Sequence, residues 1–127
     1  MLKKIIIIDD EPINCFIVEQ LCKKIFPNSD INSYSDASFA LSLLEIMPPE
    51  ELPELLFLDL NMPLISGWEF LNSIREKLTI KTKTVILSSS ILDEDKARAE
   101  KDPLIHSFLT KPVDLDLISN LEKTLHF

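Results

Sequence analysis

The chain has 127 residues, 46% of them apolar and 27% charged, the size and make-up of one globular domain that needs neither disulfide nor metal to fold. Thirteen Lys+Arg against twenty-one Asp+Glu leave a formal charge of −8. That balance excludes a non-specific nucleic-acid or anionic-membrane binder, because both require a basic surface. A single glycine, Gly67, also excludes glycine-rich dinucleotide loops and Walker-type phosphate loops, which need several.

In chain order, Lys3-Lys4 precede only four isoleucines before Asp9-Asp10, far short of a signal-peptide core or a membrane span. A soluble, reduced, cytoplasmic protein is expected. The β-branched run 5–8 predicts a strand buried on both faces of a parallel sheet. Residues 12–26 repeat apolar positions at helical spacing (Ile17, Val18, Leu21, Cys22, Ile25), with Pro12 tolerated in the first turn. Cys15 and Cys22 fall on this helix about 10 Å apart, too far for a disulfide. Residues 30–34 predict a weaker strand, and Asp36 an N-cap for a helix reaching about Met47. The proline-rich stretch 47–53 reads as a connector. Residues 55–58 predict a third strand, 61–67 a loop and 68–78 a helix. Residues 84–87 predict the fourth strand, 91–101 a polar helix, 105–109 the fifth strand and 114–125 the last helix. Five strands alternating with five helices predict an α/β doubly wound, five-stranded parallel sheet, a single domain over 1–127.

Sheets of this kind place their sites at the carboxyl ends of the strands. There the chain has Asp9 and Asp10 after the first run, Asp59 after the third, Ser88 after the fourth, and Lys111 after the fifth and one intervening Thr. Three clustered carboxylates repel and call for a cation; hard oxygen ligands suit Mg²⁺. A carboxylate can also act as nucleophile toward a phosphoryl group, with the metal, a hydroxyl and an ammonium sharing the charge. A plain capping role for each polar residue is the alternative, and it weakens with every further strand end that carries one.

These residues resemble the receiver domain of two-component response regulators, flavodoxin-like in fold, over roughly residues 4–125. The acidic pair leads into Glu11-Pro12, the stretch from Asp59 through Asn61, Met62 and Pro63 to Gly67 matches DxxMPxxxG, Ser88 stands at the Thr/Ser position, and Lys111-Pro112 matches the Lys-Pro pair. The resemblance implies phosphorelay signalling. Asp59 is then the phosphoacceptor, and Mg²⁺ is held by Asp9, Asp10, Asp59 and the backbone carbonyl of Asn61. Ser88 hydrogen-bonds the phosphoryl group, Lys111 pairs with it, and the Lys111-Pro112 peptide bond is cis. Gly67 serves a backbone geometry that a Cβ would disfavour. Asn61 and Ser90 flank the path of the hydrolytic water. Ser88 and Phe108 form the switch pair, Phe108 standing where Tyr is frequent; a simply buried Phe108 is the other reading.

The implied partners are a histidine kinase or histidine phosphotransfer protein and a downstream protein target, with no direct nucleic-acid or membrane contact, the chain acting as a monomer or a phosphorylation-dependent dimer. The implied switch catalyses its own phosphotransfer and dephosphorylation rather than acting as an enzyme on another substrate. On the first helix Phe16 falls opposite the predicted core side and Ile13 at its flank, a candidate docking surface for the phosphodonor. The chain ends after its last helix, so a stand-alone regulator is expected. His106 and His126 lack metal-like spacing, and Trp68 is expected in or near the core with no ligand role. The alternatives are a non-phosphorylated interaction module of the same fold, marked by loss of Asp59, the acidic pair or Lys111, and an Asp-nucleophile phosphohydrolase. The latter usually has a second acid where this chain has Asn61.

Overall fold

The computed structural model describes residues 2–78, 81–89 and 93–125. The apolar runs become strands β1 (Lys4–Ile8), β2 (Asp30–Tyr34), β3 (Leu55–Asp59), β4 (Lys83–Ser88) and β5 (Ile105–Thr110). Between and after them lie helices α1 (Pro12–Ile25), α2 (Ala37–Ile46), α3 (Gly67–Ile74), α4 (Asp93–Lys101) and α5 (Leu115–Thr124). All strands are parallel, in the order β2-β1-β3-β4-β5.

Burial on both faces explains the unbroken apolar runs of β1 and β3. Ile5, Ile7, Leu55, Phe57, Val85 and Leu87 face α1 and α5, while Ile6, Ile8, Leu56, Leu58 and Ile86 face α2, α3 and α4. The edge strand β2 has no fully buried residue, which is why its sequence signal is weak. The pairing is in step: Ile8 lies beside Leu58, Asp59 beside Leu87 and Ser88 beside Thr110. Three carboxyl ends therefore finish at one level.

Several predicted boundaries move. Asp59 is the last residue of β3 rather than the first after it. Residues 49–51 of the connector form a 3₁₀ turn. Helix α3 stops at Ile74, four residues early, and Ile91 and Leu92 lie outside the described residues. The predicted core stripe of α1 is also rotated. Cys15, Val18 and Cys22 are buried, while Ile17 is 41% exposed beside Ile13 and Phe16. Cys15 faces inward with Val18 and Cys22, and its thiol donates to the Asp9 carbonyl at 3.2 Å. Burial pushes the Cys15 and Cys22 thiols up to about 11 and 12, so neither is a nucleophile at neutral pH. Among the described residues no helix is long and apolar enough to cross a membrane.

Gly67 is required by contact, not by dihedral angle, since its φ is not positive. A Cβ there would lie 2.6 Å from the Asp59 carbonyl oxygen and 2.8 Å from the Leu60 Cα. Both are backbone atoms of the site strand and its loop, and they have little room to yield. Gly67→Ala is therefore expected to cost about 1–3 kcal/mol, read as a lower urea midpoint at unchanged slope.

Candidate functional site

Each side chain at the strand ends is fixed by its local backbone. Asp9 is fully buried; its N–H donates to the Tyr34 carbonyl at 3.2 Å, and its Oδ1 accepts the Glu11 N–H at 3.0 Å. Asp10, next along, is half-buried. Asp59 is 1% exposed, and its Oδ1 accepts the Asn61 N–H at 3.2 Å. The loop after it is tied down by Leu60 N–H to the Leu87 carbonyl and Gly67 N–H to the Leu60 carbonyl, 2.9 and 3.0 Å. Ser66 and Glu69 then close a reciprocal capping box that starts α3.

Lys111 joins the two deepest acids. Its N–H donates to the Ser88 carbonyl at 2.8 Å, and the Lys111-Pro112 peptide bond is cis. The ammonium lies 2.8 Å from Asp9 Oδ2 and 3.2 Å from Asp59 Oδ1; Asp9 Oδ2 takes it as an ion pair rather than as an aligned hydrogen bond. Ser88, fully buried, donates its hydroxyl to Asn61 Oδ1 at 3.1 Å.

The electrostatics follow from burial and crowding. Burial raises the Asp59 carboxyl from its ordinary 3.8 to about 6, helped by the Asp9 charge and a hydrogen bond shared with Asp10, against the lowering pull of Lys111 and the Asn61 N–H. For Lys111, burial alone would lower its value. The close ion pair with Asp9 and the charge of Asp59 outweigh that and hold it above the ordinary lysine range.

Asp9, Asp10 and Asp59 each offer a carboxylate oxygen within 4.8 Å of the others. Two Mg–O bonds of about 2.1 Å nearly span that distance, so an all-oxygen, acidic set of this size fits a small divalent cation.

The structure thus brings together Asp9, Asp10, Asp59 and Lys111 directly, and Ser88 through Asn61. Phe108 sits half-buried in β5, packed on the core side that holds Ile86. Ile13 and Phe16 are 74% and 61% exposed on α1. His106 bonds the Thr124 hydroxyl at 2.9 Å, away from the strand ends. Ser90 and His126 lie outside the described residues.

Two features had no sequence signal as site elements. One is the Asn61 amide, which was expected to act at the path of water rather than to hold Ser88. The other is Trp68, which is buried as expected but also grips α4. Its indole N–H donates to Asp95 Oδ1 at 3.1 Å, and the Arg98 guanidinium lies 4.2 Å from its ring centroid. Because α4 buries only Ala99, these contacts and the two-pronged Arg75–Asp102 pair at 2.9 and 2.6 Å supply much of what attaches it.

A parallel sheet with this strand order and an acid-rich carboxyl edge defines a flavodoxin-like fold, and its relatives narrow the class further. The model for the response regulator receiver domain matches residues 5–122. A response regulatory protein of Shewanella oneidensis is 32% identical over 93% of this chain and 46% of its own length. A 14.6 kDa protein of Leptolyngbya boryana is 31% identical over 90% of this chain and 83% of its own. The crystal structure of a two-component response regulator from Cytophaga hutchinsonii superposes with a TM-score of 0.81 at 25% identity, covering 96% and 95% of the two chains. The chain belongs to the receiver-domain family of two-component response regulators. It spans 56%, 32% and 46% of the length of three such curated relatives.

Proposed function

We propose that this receiver accepts a phosphoryl group on Asp59 from a phosphohistidine donor and changes conformation to signal a partner. The observation that carries this reading is the buried Asp59 carboxylate held 3.2 Å from the Lys111 ammonium and beside Asp9 and Asp10. An Asp59 oxygen attacks phosphorus, the P–N bond to a donor imidazole protonated on its other ring nitrogen breaks, and the imidazole leaves neutral with the bonding electron pair. Asp9, Asp10, Asp59 and the Asn61 carbonyl would hold Mg²⁺, which when bound supplies positive charge to the transferring group. Lys111 then exchanges its carboxylate partner for a phosphoryl oxygen, and Ser88 donates to another. Phe108, paired with Ile86 two residue pairs below Ser88, follows the hydroxyl. Hydrolysis of the acyl phosphate in the same site returns the resting state. The setting is cytoplasmic, the donor a histidine kinase or histidine phosphotransfer protein, and the downstream target a protein.

Incubation with acetyl phosphate and Mg²⁺ is expected to add one phosphoryl group to the intact mass, and omission of Mg²⁺ to prevent it. No gain, together with no Mg²⁺-dependent binding of beryllofluoride, would leave only the interaction-module reading. Ile13, Phe16 and the exposed Ile17 form one apolar face beside the acidic pair, which suits a helical-bundle donor. Phe16→Ala is expected to slow transfer from the cognate donor about tenfold, as loss of a buried interface aromatic does, while acetyl phosphate labelling stays at the wild-type rate. Equal transfer rates from the donor would remove α1 from the docking surface.

A further inference from the structure

We infer that the Asn61 side chain is a resting-state latch on the Ser88 hydroxyl, and that its release sets how readily the phosphorylated conformation forms. The inference rests on the phosphoacceptor reading and adds to it a positioning residue that works through Ser88. A serine hydroxyl has one proton to donate. Here it goes to Asn61 Oδ1 at 3.1 Å. A phosphoryl group on Asp59 presents only acceptor oxygens when ionised, so it needs that same proton. Asn61 Oδ1 and the phosphoryl oxygen are therefore competitors for one donor.

The geometry makes the competition local. Asn61 is the residue that also gives its N–H to Asp59 Oδ1 at 3.2 Å. Its main chain is thus tied to the phosphoacceptor and its side chain to the hydroxyl, and Ser88 is anchored below by its carbonyl, which accepts from Lys111 N–H at 2.8 Å. With the Ser88 backbone fixed, the hydroxyl changes partner by rotation of its side chain. Asn61 is exposed at the mouth of the site, so its amide is free to swing into water once the hydroxyl leaves. The latch consequently holds the resting state by the net worth of one partly solvated hydrogen bond, a factor of roughly three to ten in an equilibrium.

The test is a double-mutant cycle with Asn61→Ala, Ser88→Ala and the double variant, read in two ways. In metal-free protein the urea midpoints are expected to be non-additive, the double variant losing less than the sum of the single losses. With Mg²⁺ and fluoride present, Asn61→Ala is expected to bind beryllofluoride roughly three- to tenfold more tightly than wild type, followed by Trp68 fluorescence or ¹⁹F resonance. In the Ser88→Ala background the same substitution is expected to change nothing. Additive midpoints overturn the latch. So does an affinity gain that is absent, reversed or still present without Ser88. Failure of the wild type to bind beryllofluoride would instead count against the phosphoacceptor reading, and the metal-free cycle alone then decides the latch.

Discussion

Asp59→Asn is expected to abolish phosphoryl gain from acetyl phosphate and, in metal-free buffer at neutral pH, to make the fold more stable. Both effects come from the same buried charge. In the folded chain the Asp59 carboxyl holds its proton to about pH 6, against an ordinary 3.8. Between those values folding takes up a proton, so this group's contribution to stability is greatest below about pH 4 and falls as pH rises through 6. Above that, the wild type carries the cost of an anion that is buried and, second, crowded by Asp9, at most about 3 kcal/mol at about 1.4 kcal/mol per pH unit. The amide carries none of it. Urea melts from pH 3.5 to 8 should show the variant's advantage absent at the acid end, growing through pH 4–6 and level above. Added Mg²⁺ should shrink the advantage at pH 8, because it stabilises the form that binds it. A wild type more stable than the variant at pH 8 without metal would mean that Lys111 overcompensates the crowding.

That prediction separates what the sequence discloses from what it does not. The strand ends were readable because a continuous apolar run ending in an acid marks both the strand and the residue beyond it. The parallel register then brings Asp9, Asp59 and Ser88 to one level without further information. Helix α1 was harder. Its predicted stripe included Ile17, whereas Cys15, Val18 and Cys22 pack inward and Ile17 is exposed, because a small thiol at position 15 seats against the sheet as readily as a larger apolar side chain does. Helix α4 shows a different limit: a mostly charged sequence gives no core face, and its attachment depends on Asp95, and on Asp102 just past its end, reaching Trp68 and Arg75. The demand at Gly67 was visible as a lone glycine, but its cause, a helix start pressed against the Asp59 carbonyl, is a tertiary contact that no local sequence pattern encodes.

Lys111→Ala should produce the largest loss of stability, about 3 kcal/mol or more in metal-free buffer at pH 8, because it strands two buried carboxylates that shared one cation. The side chain of Lys111 is 11% exposed, and those of Asp9 and Asp59 are 0% and 2%, so water does little to replace it. Without the ammonium, the Asp59 carboxyl loses the charge that lowers it and moves further above 6. The sign follows: the variant's deficit should narrow as pH falls toward 6, when the folded state takes up a proton where the lysine had been. Mg²⁺ should narrow it too, by supplying a cation to the same oxygens. The decisive comparison is the double variant Lys111→Ala, Asp59→Asn. If the loss reflects stranded charge, removing one carboxylate relieves it, and the double variant should be more stable than Lys111→Ala alone by more than Asp59→Asn gains in the wild type. Strictly additive midpoints would instead trace the loss to packing of the lysine stem against its neighbours at the end of β5, with the ion pair contributing little to the fold.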